Sequence, residues 1–403
     1  MKIGLIRETK CPVDNRVALS PQQVAKLNKK YPNSEIVVQA SDVRVFLDEE
    51  YKELGIKVVD KVDDCDVLFG IKEAKIETLI PNKHYFFFGH IAKMQEYNRP
   101  LLQSFIKKQI TFSDYEYLTD ENNIRLCAFG WWAGVVGVYY TLRGYGLKMG
   151  TFNLPKPDIR FTLSQLLDSL NSIELPKVRI LVTGKGRVSH GAQFVLEKIG
   201  AKMLEEDEYL KESEVNVLSY HVATVDNLVR SKSGNDFDRV EFEKCPEQYE
   251  SDFMRWAKYT DIFISAHFWA PNAPVYLSEE DLKSPDNKIR MIGDVTCDIM
   301  GSIKATIRPS THADPYYDYN PYSEKEAELF EDINNITVMA VDTCPNALPK
   351  DSSEYFGEML IPNVFEPILE GKEHESRIIR GATILDKGIL TKKFDYLTEF
   401  SKG

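Results

Sequence analysis

The run Val178-Arg179-Ile180-Leu181-Val182-Thr183-Gly184-Lys185-Gly186-Arg187-Val188-Ser189-His190-Gly191 constrains this chain more than any other stretch. An apolar, β-branched segment ends at Gly184, a second glycine follows at Gly186, and a helix-compatible sequence begins behind it. This is the order of a buried strand, a tight turn and the first turn of a helix. A helix start reached through glycine leaves backbone N–H groups facing outward. Gly184 suits the turn, and Gly186 suits the close approach of a pyrophosphate. Ser189 stands where a third glycine is standard, with Gly191 just beyond, so the motif read alone is also compatible with a chance glycine turn. Its late position leaves room for a separate domain ahead of it.

The chain has 403 residues, a length that suggests two or three domains. A formal net charge of −12 argues against nucleic acid or an anionic membrane as partner. Six scattered cysteines have no metal-ligand spacing, so no metal is expected and a reducing compartment is. The apolar run at Met1–Ile6 is too short for a signal peptide, and no apolar stretch approaches the roughly 18 residues of a membrane span. The expectation is a cytoplasmic protein with small-molecule partners.

Strands are expected at residues 1–6, 35–39, 66–71 and 85–89, with a helix opening at Ser20-Pro21. Alternation of strand and helix predicts a parallel α/β sheet. Residues 129–147 read as a helix rich in small residues, 150–175 as a connector, and 231–250 as an inserted loop or surface helix. Residues 261–266 and 290–295 read as later strands of the glycine-motif sheet, with carboxyl ends facing a cofactor crevice, so that Asp294 falls there. Ala201-Lys202-Met203-Leu204 reads as that sheet's second strand. Glu205, followed by Glu206 and Asp207, then lies about 20 residues past the glycines, where a carboxylate meets the adenosine ribose. A carboxylate there favours NAD over NADP, which stays the alternative; a solvated acidic surface is the plainer reading. Residues 337–341 read as a strand and the remainder as helix. The predicted fold class is α/β: two Rossmann-like domains with parallel sheets and a cofactor/substrate cleft between them. Residues 1–135 plus 336–403 form a substrate domain and 136–335 the dinucleotide domain.

Lys10 and Arg16 follow the first strand, Lys72 follows the third and His90 the fourth. Strand carboxyl ends are where open α/β sheets place ligands. Arginine pairs with carboxylates, lysine can lose its proton when desolvated, and histidine titrates near neutrality. Taken singly, each is more simply a surface charge or a core histidine. Taken together, they suit an anionic substrate that exchanges a proton. His84 and His374 read as surface residues.

Arg7-Glu8-Thr9-Lys10, Arg16-Val17-Ala18-Leu19-Ser20-Pro21, Gly70-Ile71-Lys72-Glu73 and Gly89-His90 resemble the alanine dehydrogenase/transhydrogenase superfamily. Asp114-Tyr115-Glu116-Tyr117-Leu118, Ala128 to Gly134, Gly184 to Val188, Asp294 to Ser302, Asp314 to Tyr317 and Val341 to Gly357 are similar, more narrowly, to two relatives within it. These are lysine-forming saccharopine dehydrogenase and the lysine–ketoglutarate reductase domain. The resemblance implies that Lys72 and His90 are an acid–base pair, that Lys10 and Arg16 bind carboxylate, and that Glu73 and Glu116 tune the pair. It puts Gly184, Gly186, Arg187 and Val188 on the cofactor and Asp298 near the nicotinamide, although Ile299 and Met300 depart from the alanine dehydrogenase pattern. It implies hydride transfer at a secondary-amine carbon and imine hydrolysis, interconverting saccharopine with lysine and 2-oxoglutarate. The alternatives are an alanine dehydrogenase-like enzyme using alanine, pyruvate and ammonia, and a catalytically silent dinucleotide-binding protein. The presence of both Lys72 and His90 speaks against the last.

Overall fold

The computed structural model describes residues 1–211 and 215–403, in two compact units. The first comprises Met1–Phe129 and Pro349–Gly403, the second Gly130–Leu348. The first unit opens with strands β1 (Lys2–Leu5), β2 (Glu35–Gln39), β3 (Val58–Val59), β4 (Val67–Phe69), β5 (His84–Phe87) and β6 (Thr111–Asp114). All six run parallel in the order β6-β5-β4-β1-β2-β3. The run Tyr85-Phe86-Phe87 is buried throughout, as expected of a strand covered on both faces. Between β1 and β2 the helix Pro21–Lys30 begins at Ser20, with proline in its first turn and Val24 and Leu27 on its buried side. The β1 and β4 carboxyl ends lie side by side, because Leu5 pairs with Phe69. That register brings the loops carrying Lys10, Arg16 and Lys72 to one edge of the sheet.

The second unit begins with the helix Gly130–Met149, in which buried residues occur on every side. A helix apolar all round is a core helix. Its lysine near the end, Lys148, is buried and pairs with buried Asp318 at 3.4 Å. The strands are β7 (Arg179–Thr183), β8 (Lys202–Met203), β9 (Ser219–Ala223), β10 (Val229–Ser231), β11 (Tyr249–Ser251), β12 (Ile262–Ser265), β13 (Met291–Asp294), β14 (Tyr317–Asn320), β15 (Lys325–Ala327) and β16 (Ile336–Met339). Eight form one sheet, β15-β14-β16-β13-β12-β7-β9-β8, with β14 and β15 antiparallel at its edge; β10 and β11 make a separate hairpin.

Several expectations change here. The 150–175 connector contains a helix, Leu163–Asn171, capped by Thr162. The chain leaves the first unit at Gly130 and returns at Pro349, rather than at 136 and 336. The physical reason is pairing: residues 336–339 hydrogen-bond into the second sheet beside β13. The C-terminal segment is not wholly helical. It supplies β17 (Thr383–Asp386), antiparallel to β6, and β18 (Ile389–Leu390), which extend the first sheet. His84 is not a surface residue: its Nε2 lies 2.9 Å from the Ser113 hydroxyl, and burial drives its pKa down to about 3.

Among the described residues, no helix is long and apolar enough to cross a membrane.

Candidate functional site

In the first unit a carboxylate set at the end of β1 organises the lysine loop. Glu8 accepts from the backbone N–H groups of Ile71 at 2.6 Å and Lys72 at 2.9 Å, one to each oxygen. Two consecutive amides held by one carboxylate fix the backbone from which the Lys72 side chain springs. Burial and the charge of Asp14 push the Glu8 carboxyl up to about 8, against the two amides and Arg16.

Lys72 is surrounded by charges of both signs. Burial lowers its pKa first, and the Arg16 and Lys10 cations lower it further; Asp14 and Glu73 oppose them. The net direction is down, so this lysine sheds its proton more readily than an ordinary one. Its neighbours are themselves held. Lys10 Nζ donates to both Glu73 oxygens, at 2.9 and 2.7 Å. Arg16 donates through Nε to Asp14 Oδ1 at 2.9 Å and through Nη2 to Oδ2, in a fork that uses one edge of the guanidinium. Burial opposes ionisation of Asp14, but the Arg16 charge and hydrogen bonds outweigh it and hold the carboxyl low. Asp14 also accepts from the Arg16 backbone N–H at 3.1 Å, the local turn that folds this pair together. The Arg16 guanidinium lies 4.1 Å from the Phe129 ring centre.

The histidine is fixed by the neighbouring strand. His90 has a left-handed backbone, φ 53°, rare for a non-glycine residue. Its N–H and that of Gly89 both donate to Asp114 Oδ2 at 3.0 Å, so the last residue of β6 holds the turn after β5. Burial raises the Asp114 pKa to about 6. The imidazole Nδ1 lies 3.4 Å from Glu116 Oε2, while the other Glu116 oxygen receives Arg125 at 2.8 Å and Lys93 at 3.2 Å. Burial works against the Glu116 charge, but the His90 hydrogen bond and the Lys93 and Arg125 cations overcome it and hold its pKa down to about 2. A carboxylate ionised in this way accepts from Nδ1–H and leaves Nε2 as the basic nitrogen. The two groups are joined through an aromatic wall. Phe129 stacks on Phe356 at 4.3 Å, and Phe88 contacts Phe129 at 6.1 Å and the His90 ring at 6.2 Å.

The structure thus gathers Lys72, Lys10, Arg16 and Glu73 around Asp14 and Glu8, and His90 with Glu116 around Asp114, Lys93 and Arg125. The sequence reading did not assign roles to these last five additions. Asp114 and Glu116 could have been paired from their strand-end Asp-x-Glu spacing. Arg125 reaches Glu116 only because residues 119 and 125 bridge back on each other.

In the second unit a cavity of about 720 Å³ crosses the carboxyl edge of the sheet. Its lining includes Gly184, Gly186, Arg187 and Val188 from the glycine turn, Thr224 and Val225 after β9, His267 and Phe268 after β12, and Thr296 and Asp298 after β13. Gly184 has φ +93°, and a Cβ there would meet Ala266 O at 2.6 Å, so the turn requires glycine. A Cβ on Gly186 would meet nothing within 4 Å, the open approach a diphosphate needs, and the helix Arg187–Lys198 begins there. The chemistry and shape of this cradle fit a dinucleotide.

Two assigned cofactor residues lie elsewhere. Glu205 is exposed and is not on the cavity lining, because the strand beside β7 is β9 and not β8. The second and third strands have exchanged places relative to the usual 3-2-1-4-5-6 order. Thr224 and Val225 therefore stand where the ribose carboxylate was expected. Asp294 is buried and also off the lining. It accepts from the hydroxyls of Thr296 at 2.6 Å and Thr306 at 2.7 Å, and so shapes the loop that presents Asp298.

Residues 4–136 match the family described as alanine dehydrogenase/PNT, N-terminal domain. The whole chain aligns at 31% identity with 48% of the mitochondrial alpha-aminoadipic semialdehyde synthase of Bos taurus, so it spans about half the length of that relative. It is 26% identical to the NAD(+), L-lysine-forming saccharopine dehydrogenase of Schizosaccharomyces pombe, over 90% of this chain and 92% of that one. In fold it is similar to an L-alanine dehydrogenase, TM-score 0.67 at 16% identity over 99% of both chains. A transhydrogenase from Sinorhizobium meliloti gives TM-score 0.61 at 13% identity, covering 97% of this chain and all of that one. Residues 4–136 are thus similar to the alanine dehydrogenase/PNT N-terminal domain, and the chain as a whole is similar to lysine-forming saccharopine dehydrogenases at 23–26% identity.

Proposed function

We propose that this chain is an NAD-dependent oxidoreductase that interconverts saccharopine with lysine and 2-oxoglutarate. The observation that carries the reading is that the first unit holds, at neighbouring strand ends, both a lysine with a loosened proton and a histidine backed by an ionised carboxylate. Dinucleotide binding alone needs neither. Glu205, held off the crevice by the strand order, does not select between NAD and NADP. What supports NAD is the chain's similarity to saccharopine dehydrogenases that use NAD(+).

The nicotinamide, when bound in the second unit's crevice, supplies the acceptor for hydride from the secondary-amine carbon. Lys72, as the neutral amine, takes the proton that the substrate nitrogen must lose for that carbon to become an imine. His90, its Nδ1–H held by Glu116, removes a proton from the water that adds to the imine carbon. The same two groups return protons as the carbinolamine splits into amine and 2-oxo acid. The Nη1 edge of Arg16, which Asp14 does not take, faces a substrate carboxylate, and Lys10 adds to the local positive field.

NADH oxidation on adding lysine and 2-oxoglutarate is the direct assay, run with NADPH in parallel. A flat trace with both nucleotides would sink the reading, and turnover with pyruvate and ammonia alone would transfer it to the alanine dehydrogenase type.

The charges around Lys72 make a signed prediction. Lys10→Met removes a cation and frees the Glu73 carboxylate, so the Lys72 ammonium is stabilised. The acid limb of the kcat/KM profile for saccharopine oxidation should move to higher pH, by roughly one unit. Glu73→Gln removes the opposing charge, so the same limb should move to lower pH. Shifts of the same sign in both variants would show that the limb does not belong to Lys72.

A further inference from the structure

One wall of the dinucleotide crevice is not made by the glycine turn or by the loops after β12 and β13. Between β9 and β12 the chain makes an excursion over residues 229–251. Its ends pair as the β10–β11 hairpin, and the helix Arg239–Lys244 lies between them. This segment is folded in its own right. Asp238 caps the helix by accepting from Glu241 N–H at 2.9 Å. The rings of Phe237, Phe242 and Tyr249 pack with centroids 5.3–5.6 Å apart. The Tyr249 hydroxyl donates to Glu241 at 2.6 Å. Ordering such a segment costs conformational entropy, and it delivers Arg239, Phe242, Glu243 and Pro246 to the crevice.

Sheet order says which half of a dinucleotide this wall meets. The excursion leaves the sheet after β9, on the far side of β7 from β12 and β13. A doubly wound sheet takes the adenosine half over the mononucleotide half that carries the glycine turn, and the other half beyond the switch point. The pyrophosphate at Gly184–Gly186 therefore divides the crevice into an adenosine end, at the excursion, and a nicotinamide end at Thr296 and Asp298. Purines need apolar contact on the ring face and polar partners at the edge. Phe242 and Pro246 offer the first. Arg239 and Glu243 offer the second, as an exposed pair at 3.0 Å whose mutual attraction is weak and can be shared with a ligand.

We propose that the 229–251 excursion is a dedicated adenine wall, with Phe242 and Pro246 against the purine face and the Arg239–Glu243 pair at its polar edge. The inference rests on the dinucleotide reading above, but not on the identity of the amino-acid substrate.

Three probes test it by direct binding: NADH, ADP-ribose, which lacks nicotinamide, and reduced nicotinamide mononucleotide, which lacks adenosine. Arg239→Ala alters an exposed residue, and Phe242→Leu keeps an apolar side chain in the ring cluster while removing the aromatic face. Each should weaken NADH and ADP-ribose about tenfold and leave the mononucleotide unchanged, and Arg239→Ala, on the surface, should leave thermal melting unaltered. Unchanged ADP-ribose affinity in both variants, or equal weakening of the mononucleotide, would overturn the assignment. A wild-type protein that binds NADH and ADP-ribose but turns over no amino acid would refute the proposed reaction and leave the adenine wall to stand on the variant data. One that binds neither would refute the wall itself.

Discussion

Replacing Lys72 by methionine should lower kcat for saccharopine oxidation by about 10³-fold while the NADH dissociation constant stays within about twofold. Positioned acid–base groups contribute roughly 10²–10⁴ to rate. Lys72 is placed for that role by Glu8, which grips its backbone N–H, and by burial and the Arg16 and Lys10 charges, which lower its pKa. Methionine keeps the apolar stem and removes the amine, so the variant deletes the proton acceptor with little loss of packing. It lies in the first unit, whereas the glycine cradle belongs to the second. Nucleotide affinity should therefore be insensitive to it. Added primary amines should recover part of the lost rate, since they supply the missing base. Turnover within tenfold of wild type would remove Lys72 from the chemistry, and a collapse of NADH affinity would show that the two roles are not divided between the units as proposed.

Two glycines seven residues or fewer from the turn should fail in opposite ways. A Cβ on Gly191 would stand 1.9 Å from Trp131 O, and one on Gly134 would stand 1.9 Å from Val188 O. The helices Gly130–Met149 and Arg187–Lys198 thus touch backbone to backbone, with no side chain that could yield. Gly191→Ala should force them apart and cost about 3 kcal/mol, seen as a fall in melting temperature of roughly 6–12 °C. Gly186→Ala meets nothing within 4 Å and has an ordinary backbone, φ −89°. It should leave the melt within about 1–2 °C yet weaken NADH at least tenfold, because the methyl occupies the path of the diphosphate. A melt lowered equally by both substitutions would mean that Gly186 is retained for folding and not for ligand approach.

Much of the frame was readable in the chain itself. Period, glycine placement and strand–helix alternation follow from local backbone preference, so the strands at 35–39 and 179–183, the turn at Gly184 and the helix after Ser20 stand where the residues suggest. Lys72 and His90 were visible for the same reason: a strand's end is a local property, and its ligand-facing edge is a general one. Charged partners were harder. Asp114 holds the Gly89–His90 amides across 24 and 25 positions, and Glu8 holds those of Ile71 and Lys72 across 63 and 64. Nothing in spacing encodes pairs so far apart. The segment 231–250 looked like a solvated insert because its polarity is genuine; its three packed rings are spread over residues 237–249, and their convergence is tertiary.

A glycine turn in the second half of the chain, and an earlier α/β unit edged with Lys10, Arg16, Lys72 and His90, are legible from the residues alone, since each of those features is set within a few residues. Which strand lies beside β7 is set by long-range pairing. Hydrogen bonding puts β9 there and sends β8 to the edge, which removes Glu205 from the crevice and brings Thr224, Val225 and the 229–251 excursion to it. Strand order is a choice among pairings of similar local quality. It is fixed by which buried faces and unpaired amides the whole sheet can satisfy together, a quantity that no window of sequence contains.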